Sequence, residues 1–315
     1  MAKFAQYYLK YNLKDIFAAT TQADRQKHFG KLFETNESIK FYTGEKENRK
    51  ELKHEVYHLS LNPDIIIMRI ANEKTKEVIQ DFKRMEVRHE PPCMVIIDNR
   101  QGCRRVAIQR SKSSFSSTDS LGNILVSTLH NRMFHDHNIG IELFPQYYPQ
   151  DFYKAWQAHR HHTSRIRFNV SGGDVPKSFE QAPADDNSII GFAIKVNEES
   201  YKKKYNTVIE LSSAETGAIL PVDESSVFIR NLVNFHAATG APIELVTTDG
   251  ASFTCFIDDD EDSTNIVTNE IDTPIMEAIF EDNGIDRAKA EEKVLAFVNG
   301  MKYTVDGNER KEDQI

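Results

Sequence analysis

His54-Glu55-Val56-Tyr57-His58 has the spacing HExxH. On a helix this pattern sets two imidazoles one turn apart on a zinc ion, with the glutamate beside the metal-bound water as general base. Such a centre needs a third ligand, for which Glu73 and Glu77 stand at a workable distance along the chain. A second reading of the same residues is a strand. Pro63 follows closely, and Tyr57, Leu59 and Leu61 alternate towards the apolar run Ile65 to Ile70. A strand would send His54 and His58 to one face but spread them over four residue rises, too far apart for a common zinc.

Between Asn99 and Thr118 the chain carries Arg100, Arg104, Arg105, Arg110 and Lys112 with no acid, interleaved with serines and Phe115. Guanidinium groups, hydroxyls and one aromatic ring suit phosphate contacts and an unstacked base. Arg165 and Arg167, with Arg160, would extend that surface. The plainer reading is a solvated basic face. Asp98, just before this loop, suits either the rim of an active site or a turn.

Two histidine groups, His130/His135/His137 and His159/His161/His162, offer metal ligands. Both also fall near helix C-termini, where imidazolium groups cap free carbonyls. Asp258 to Asp262 form an acidic run without EF-hand spacing, read as a solvated loop that repels nucleic acid or pairs with basic residues. Cys93, Cys103 and Cys255 are odd in number and include no CxxC, which excludes a four-cysteine zinc site within one chain. Walker A, GxGxxG and GxSxG patterns are missing from the sequence, and with them the common nucleotide-hydrolase, dehydrogenase and serine-hydrolase signatures.

The elements that would position these residues are legible in part. Strands are expected near Phe4–Leu13, Ile65–Ile70, Met94–Ile97, Val106–Ile108, Ile139–Phe144 and Arg165–Val170. Helices are expected over 22–33, over 121–133 behind Ser117, Thr118 and Asp119, and over 150–161. In the C-terminal half, Asp249-Gly250 sits between alternating runs and marks a hairpin. Helices are expected over 224–238, 273–282 and 286–298, while 188–211 fits strand and helix alike. The fold class is α+β, with mixed or antiparallel sheets and packed helices.

Charge suggests the division of the chain. Residues 1–170 hold 27 Lys/Arg against 19 Asp/Glu, and residues 171–315 hold 12 against 29. A change of sign between halves points to a polyanion met by one half and repelled by, or paired with, the other. Two domains follow as the expectation: a basic one over 1–172 and an acidic one over 187–315 for assembly or regulation, joined by a linker over 173–186 rich in Gly, Pro and Asp. Residues 1–8 lack the apolar run of a signal peptide, and no stretch of about 18 apolar residues occurs. The expectation is a soluble, cytoplasmic protein with no membrane association.

The stretches Cys93–Arg100, Val106–Gln109 and Phe115–Leu121 resemble uncharacterised bacterial proteins encoded in mobile elements and phage-defence neighbourhoods. The resemblance spans mainly residues 60–170 and defines no catalytic residues. It implies an intracellular prokaryotic protein acting in conflict between genomes. Together these readings lead to a sensor or accessory protein that binds DNA, RNA or a nucleoprotein complex through its basic half, with a protein partner or a second copy of itself. The alternatives are a zinc metalloenzyme using His54, His58 and Glu55, an effector nuclease dependent on a divalent metal, and a protein-interaction subunit that binds no nucleic acid.

Overall fold

A computed structural model describes residues 1–13, 21–44, 49–80, 83–100, 103–170, 196, 207–215, 218–222, 226–255 and 266–301. The expected linker over 173–186, the acidic run over 258–262 and most of the ambiguous stretch 188–211 lie outside the described residues. The α+β class holds, with antiparallel pairing throughout the registers described.

The compact units follow a different division from the one charge suggests. One comprises Met1–Leu143 together with Thr268–Met301, and the other Phe144–Val267. Pairing is the physical reason. Strand β14 (Thr268–Ile271) lies antiparallel to β1 (Ala2–Leu13), with Ala2 opposite Ile271 and Ala5 opposite Thr268. Counted along these units, the first holds 26 Lys/Arg and 26 Asp/Glu. The segment 268–301 brings 3 basic and 8 acidic residues to a 1–143 segment that has 23 and 18.

The first unit is built on a sheet ordered β14-β1-β8-β7-β4-β3-β2, with β9 (Ile139–Pro145) also paired to β1. The remaining strands are β2 (Phe41–Thr43), β3 (Lys50–Leu59), β4 (Asn62–Ala71), β7 (Pro92–Asp98) and β8 (Arg105–Gln109). Strands β5 (Lys74–Gln80) and β6 (Lys83–His89) form a separate two-stranded ribbon between β4 and β7. In β7 all but the first residue are buried, and in β4 so is the run Ile65–Met68 with Ile70, because both faces of the sheet are covered by helices.

Alternation along the strands assigns each face its cover. Phe4, Leu59, Ile65, Ile67, Met94, Ile96 and Ala107 pack with Ile275, Ile279, Val294 and Val298, residues of or near α5 (Thr273–Glu277) and α6 (Arg287–Gly300). Residues of the other parity meet α1 (Gln22–Lys31) and α2 (Thr118–His137). Thus the Tyr7 hydroxyl donates to Asp119 Oδ1 and accepts from Thr118 Oγ1, each at 2.7 Å. The α2 cap expected from sequence is formed by Ser117, whose hydroxyl accepts from the Ser120 amide at 3.1 Å. On the opposite face, Glu291 of α6 anchors the β3–β4 turn. Its carboxylate accepts from Tyr57 Oη, from Ser60 Oγ at 2.9 Å and from the Leu61 amide at 3.3 Å. Burial raises the Glu291 pKa, but these three donors outweigh it and hold the carboxyl below its ordinary range.

The second unit is a four-stranded antiparallel sheet in the order β11 (Thr207–Ser212), β10 (Thr163–Val170), β12 (Ile243–Thr247), β13 (Ser252–Cys255). Helices α3 (Pro149–His159) and α4 (Val227–Thr239) cover one face, and Phe152, Trp156, Ile166, Phe168, Leu232 and Val233 share the core. Helix α4 ends at Gly240, whose φ of 67° is left-handed; a Cβ there would lie 2.6 Å from the Pro145 carbonyl oxygen. The Asp249-Gly250 hairpin forms as expected, with Gly250 at φ 88°.

His236 of α4 has no solvent exposure; its Nδ1 lies 2.8 Å from the Leu232 carbonyl oxygen and its ring meets Phe168 edge-on. Burial drives its pKa down to about 4, so the ring is neutral when folded and the unfolded chain takes up the proton first. Stability therefore stays level above about pH 6.5 and falls as pH drops from there to about 4, by about 3 kcal/mol at most. Urea titrations at several pH values should show this acid slope and show it reduced in His236→Phe.

Candidate functional site

The basic loop is largely a buried structural element. Asp98, the last residue of β7, has no exposure, and its carboxylate accepts from Arg100 Nε (2.8 Å) and Nη2 (2.9 Å) and from Arg105 Nη2 (2.8 Å). Arg100 also reaches Asn299 of α6 at 2.7 Å. Arg104 is fully buried, with a left-handed φ of 47° and its guanidinium 5.3 Å from the Tyr8 ring. Phe115 is buried as well, so no ring is presented for stacking on a base.

The expected nucleic-acid surface is corrected accordingly. Arg100 and Arg105 are spent on Asp98, a buried acid that must be neutralised where the β7–β8 hairpin closes, and Arg104 and Phe115 are buried in the core. Of that loop, Lys112 is exposed and Arg110 half-buried. Arg165 and Arg167 belong to the second unit. There Arg167 is engaged by Glu210 at 2.7 Å and Glu244 at 3.9 Å across three strands, while Arg165 lies half-buried opposite Ser212 and Val246.

The HExxH residues lie on β3, paired with β4 from Lys53 to Leu59. The pleat sends Glu55 to the face opposite the histidines. Glu55 meets Arg69 at 2.6 Å, and Arg69 also pairs with Glu281. His54 packs edge-on against Phe41. The zinc assignment is therefore corrected: the strand separates His54 from His58 by about 13 Å of rise and puts Glu55 on the far side. Among the described residues no group of three or more His, Cys, Asp or Glu could hold one metal ion.

In the two histidine groups, His130, His137 and His159 each have a separate neighbour. The His130 ring meets the Ile141 backbone at 3.1 Å, and His159 stacks on Phe253 at 4.0 Å. His137 stacks at 3.8 Å on His28, a contact between α1 and α2 that spacing could not reveal. Burial, then the neighbouring His137, lowers the His28 pKa. Burial also pushes the thiols of Cys93 and Cys255 up to about 12 and raises Cys103, so none is activated as a nucleophile.

What the first unit does bring together is a cleft of about 440 Å³, within the size range of small-molecule sites. One wall is α1, presenting Ala23, Gln26, Lys27, Gly30 and Lys31, with Glu34 just beyond its end. The other wall is the β3–β4 turn with His58, Pro63, Asp64 and Ile66, and Asn99 lies between them. The helix is fixed at its start by a capping box, in which the Asp24 amide donates to Thr21 Oγ1 at 3.1 Å and the Thr21 amide donates to Asp24 Oδ2 at 3.1 Å. Buried Phe29, Leu32 and Phe33 seat it on the sheet.

Asn99 knits floor to wall. Its Nδ2 donates to the Gln26 carbonyl (2.9 Å), its amide to the Asp64 carbonyl (2.9 Å), and Gln26 Nε2 donates to the Arg100 carbonyl (2.9 Å). Glycine inside a helix costs about 1 kcal/mol relative to alanine. At Gly30 this is offset by the close approach of Asn99, whose Nδ2 would lie 3.2 Å from an added Cβ.

Lys27 and Lys31 are exposed, one helical turn apart, and have no ion-pair partner among the described residues. Some other cations of the unit are paired, Lys3 with Glu270, Lys40 with Glu51, Lys53 with Glu90 and Arg69 with Glu55, while Lys50, Lys289 and Lys293 are exposed and, like Lys27 and Lys31, in no ion pair among the described residues. Comparison with family models, with curated proteins and with solved structures finds no match to this chain. Among the described residues no helix is long and apolar enough to cross a membrane.

The Asp98 cluster gives a direct test of the buried loop. Asp98→Ala leaves two guanidinium groups unneutralised in the interior and should cost about 3–5 kcal/mol. The shift of the urea midpoint measures it, and a change below about 1 kcal/mol would contradict the structural role.

Proposed function

We propose that the protein is a sensor or accessory protein whose first unit recognises a small anion-bearing molecule in the cleft beside α1. The observation that carries this reading is the pair Lys27 and Lys31, exposed on one wall of the cleft and in no ion pair with a described residue. A lysine pair one turn apart suits a phosphate or carboxylate, held as point charges.

The opposite charges in the cleft narrow the ligand. Glu34 and Asp64 accept N–H donors, so the complement is a molecule with an anionic group at one end and donors at the other. A nucleotide presents both, whether free or at the end of a DNA or RNA strand. This reading keeps the sensor or accessory role expected from the sequence as a whole and moves recognition from the arginine loop to α1. It assigns no reaction, and it gives Arg104, Arg105 and Phe115 no part in binding.

Calorimetric titration with nucleoside mono- and triphosphates and with short single strands tests it. Binding should weaken with added salt. It should fall at least about tenfold in the double variant Lys27→Ala/Lys31→Ala, with the thermal midpoint little changed because both side chains are exposed. Equal affinity in the variant, or no binding of any of these anions by the folded chain, would defeat the proposal.

A further inference from the structure

His58 is placed where the two walls of the cleft come together, and both of its ring nitrogens are in use. Nε2 lies 2.8 Å from the Phe33 carbonyl oxygen, just past the end of α1, and Nδ1 lies 2.9 Å from the Pro63 carbonyl oxygen, at the start of β4. Carbonyl oxygens only accept. A neutral imidazole carries one N–H and satisfies one of these partners, leaving its bare nitrogen facing the lone pairs of the other; the doubly protonated ring satisfies both.

We infer that His58 is a proton-operated clamp on the cleft, bridging the end of α1 to the β3–β4 turn when charged and releasing one wall when neutral. The inference concerns regulation of the site proposed above and rests on that reading for its consequence. Protonation fixes the walls and adds a positive charge beside Lys27 and Lys31. Loss of the proton breaks one bridge and removes that charge together, so anion affinity falls as pH rises.

The charged and titratable groups around the ring come from both walls and from β3 itself. Lys27, Lys31 and Glu34 stand on the α1 side, Asp64 on the β4 side, and His54 shares the strand face. Cations and acids are equal in number among the four flanking groups, so neither sign dominates the position. Of the two forms of the ring, only the one with an N–H on each nitrogen can donate to both carbonyls.

Two-dimensional ¹H–¹⁵N correlation of the imidazole nitrogens, on the full ligand-free chain between about pH 5 and 8, reads the clamp directly. The expected result is a His58 ring protonated on both nitrogens at the acid end that loses one proton within the interval. Backbone shifts at Phe33, Glu34 and Asp64 should move with it. Amide exchange in the last turn of α1, corrected for intrinsic pH dependence, should accelerate about tenfold as a charge-assisted bond is lost.

The variant His58→Gln, able to donate to only one carbonyl, should show the faster exchange at every pH. A ring that stays neutral in one tautomer throughout, or one that titrates while Phe33 and Asp64 stay still, would overturn the inference. These signals belong to His58 and need no ligand, so they stand even if no anion binds. Conversely, an anion that binds through Lys27 and Lys31 with no change at His58 would leave the cleft assigned and the clamp refuted. If the variant fails to fold, the titration of the unmodified chain decides alone.

Discussion

A carboxylate with no access to water terminates the strand at the centre of the larger sheet, and much of the first unit is arranged to neutralise it. Asp98 accepts three guanidinium hydrogen bonds from Arg100 and Arg105. A buried charge of this kind is tolerable only with its partners in place. The hairpin from β7 to β8 must therefore return Arg105 to a position directly opposite Asp98 in the ladder, as it does. Arg104, between the hairpin turn and β8, takes a left-handed backbone and turns inward. Its carbonyl accepts the Leu9 amide at 2.9 Å, so the same residue joins the hairpin to β1. The preceding Asn99 is then delivered to the underside of α1, which makes the cleft a consequence of how the Asp98 hairpin closes.

Electrostatics works at a second, longer scale in the same unit. The basic excess of residues 1–143 is met by the acidic segment 268–301, which returns to pair with β1 and to cover one face of the sheet. Apolar contact supplies the main driving force, since residues such as Val294 and Val298 are completely buried and each contributes about 1.5–3 kcal/mol. The ion pairs Lys3–Glu270 and Arg69–Glu281 lie at the rim and add little individually. Their effect is on the field: a unit with balanced charge does not attract polyanions from a distance. In such a unit it is their place on the wall of the cleft that sets Lys27 and Lys31 apart from other exposed lysines.

Much of the fold is legible in the residue order because local chemistry agreed with the global structure. The caps and apolar spacing of α2, the β-branched runs of β4 and β7, and the Asp-Gly turn of the second unit all formed as read. Strands β2 and β14 are only three and four residues long and carry no periodic signal; they exist because β3 and β1 offer edges to them. The charge division misplaced the units because net charge has no information on pairing. Arginine and phenylalanine in a serine-rich stretch suit a surface for phosphate and base, yet a single buried acid next to that stretch turns two of those arginines, Arg100 and Arg105, towards itself. Asp98 was visible as an acid after a buried strand; that it faced the core was not.

The cleft was not legible at all, since its parts come from four separate stretches of chain: α1, the end of β3, the start of β4 and the residue after β7. Only HExxH drew attention to one of them, and for the wrong reason. His58 was singled out as half of a zinc pair, and the strand that dissolves that pair is also what aims His58 at the carbonyls of Phe33 and Pro63. The alternation that sends Tyr57 and Leu59 to the α6 face leaves His58 on the α1 face, opposite two acceptors and beside two cations. The pleat that parts His58 from Glu55 and carries it far from His54 is thus the same feature that sets its ring between two carbonyls from separate stretches of the chain.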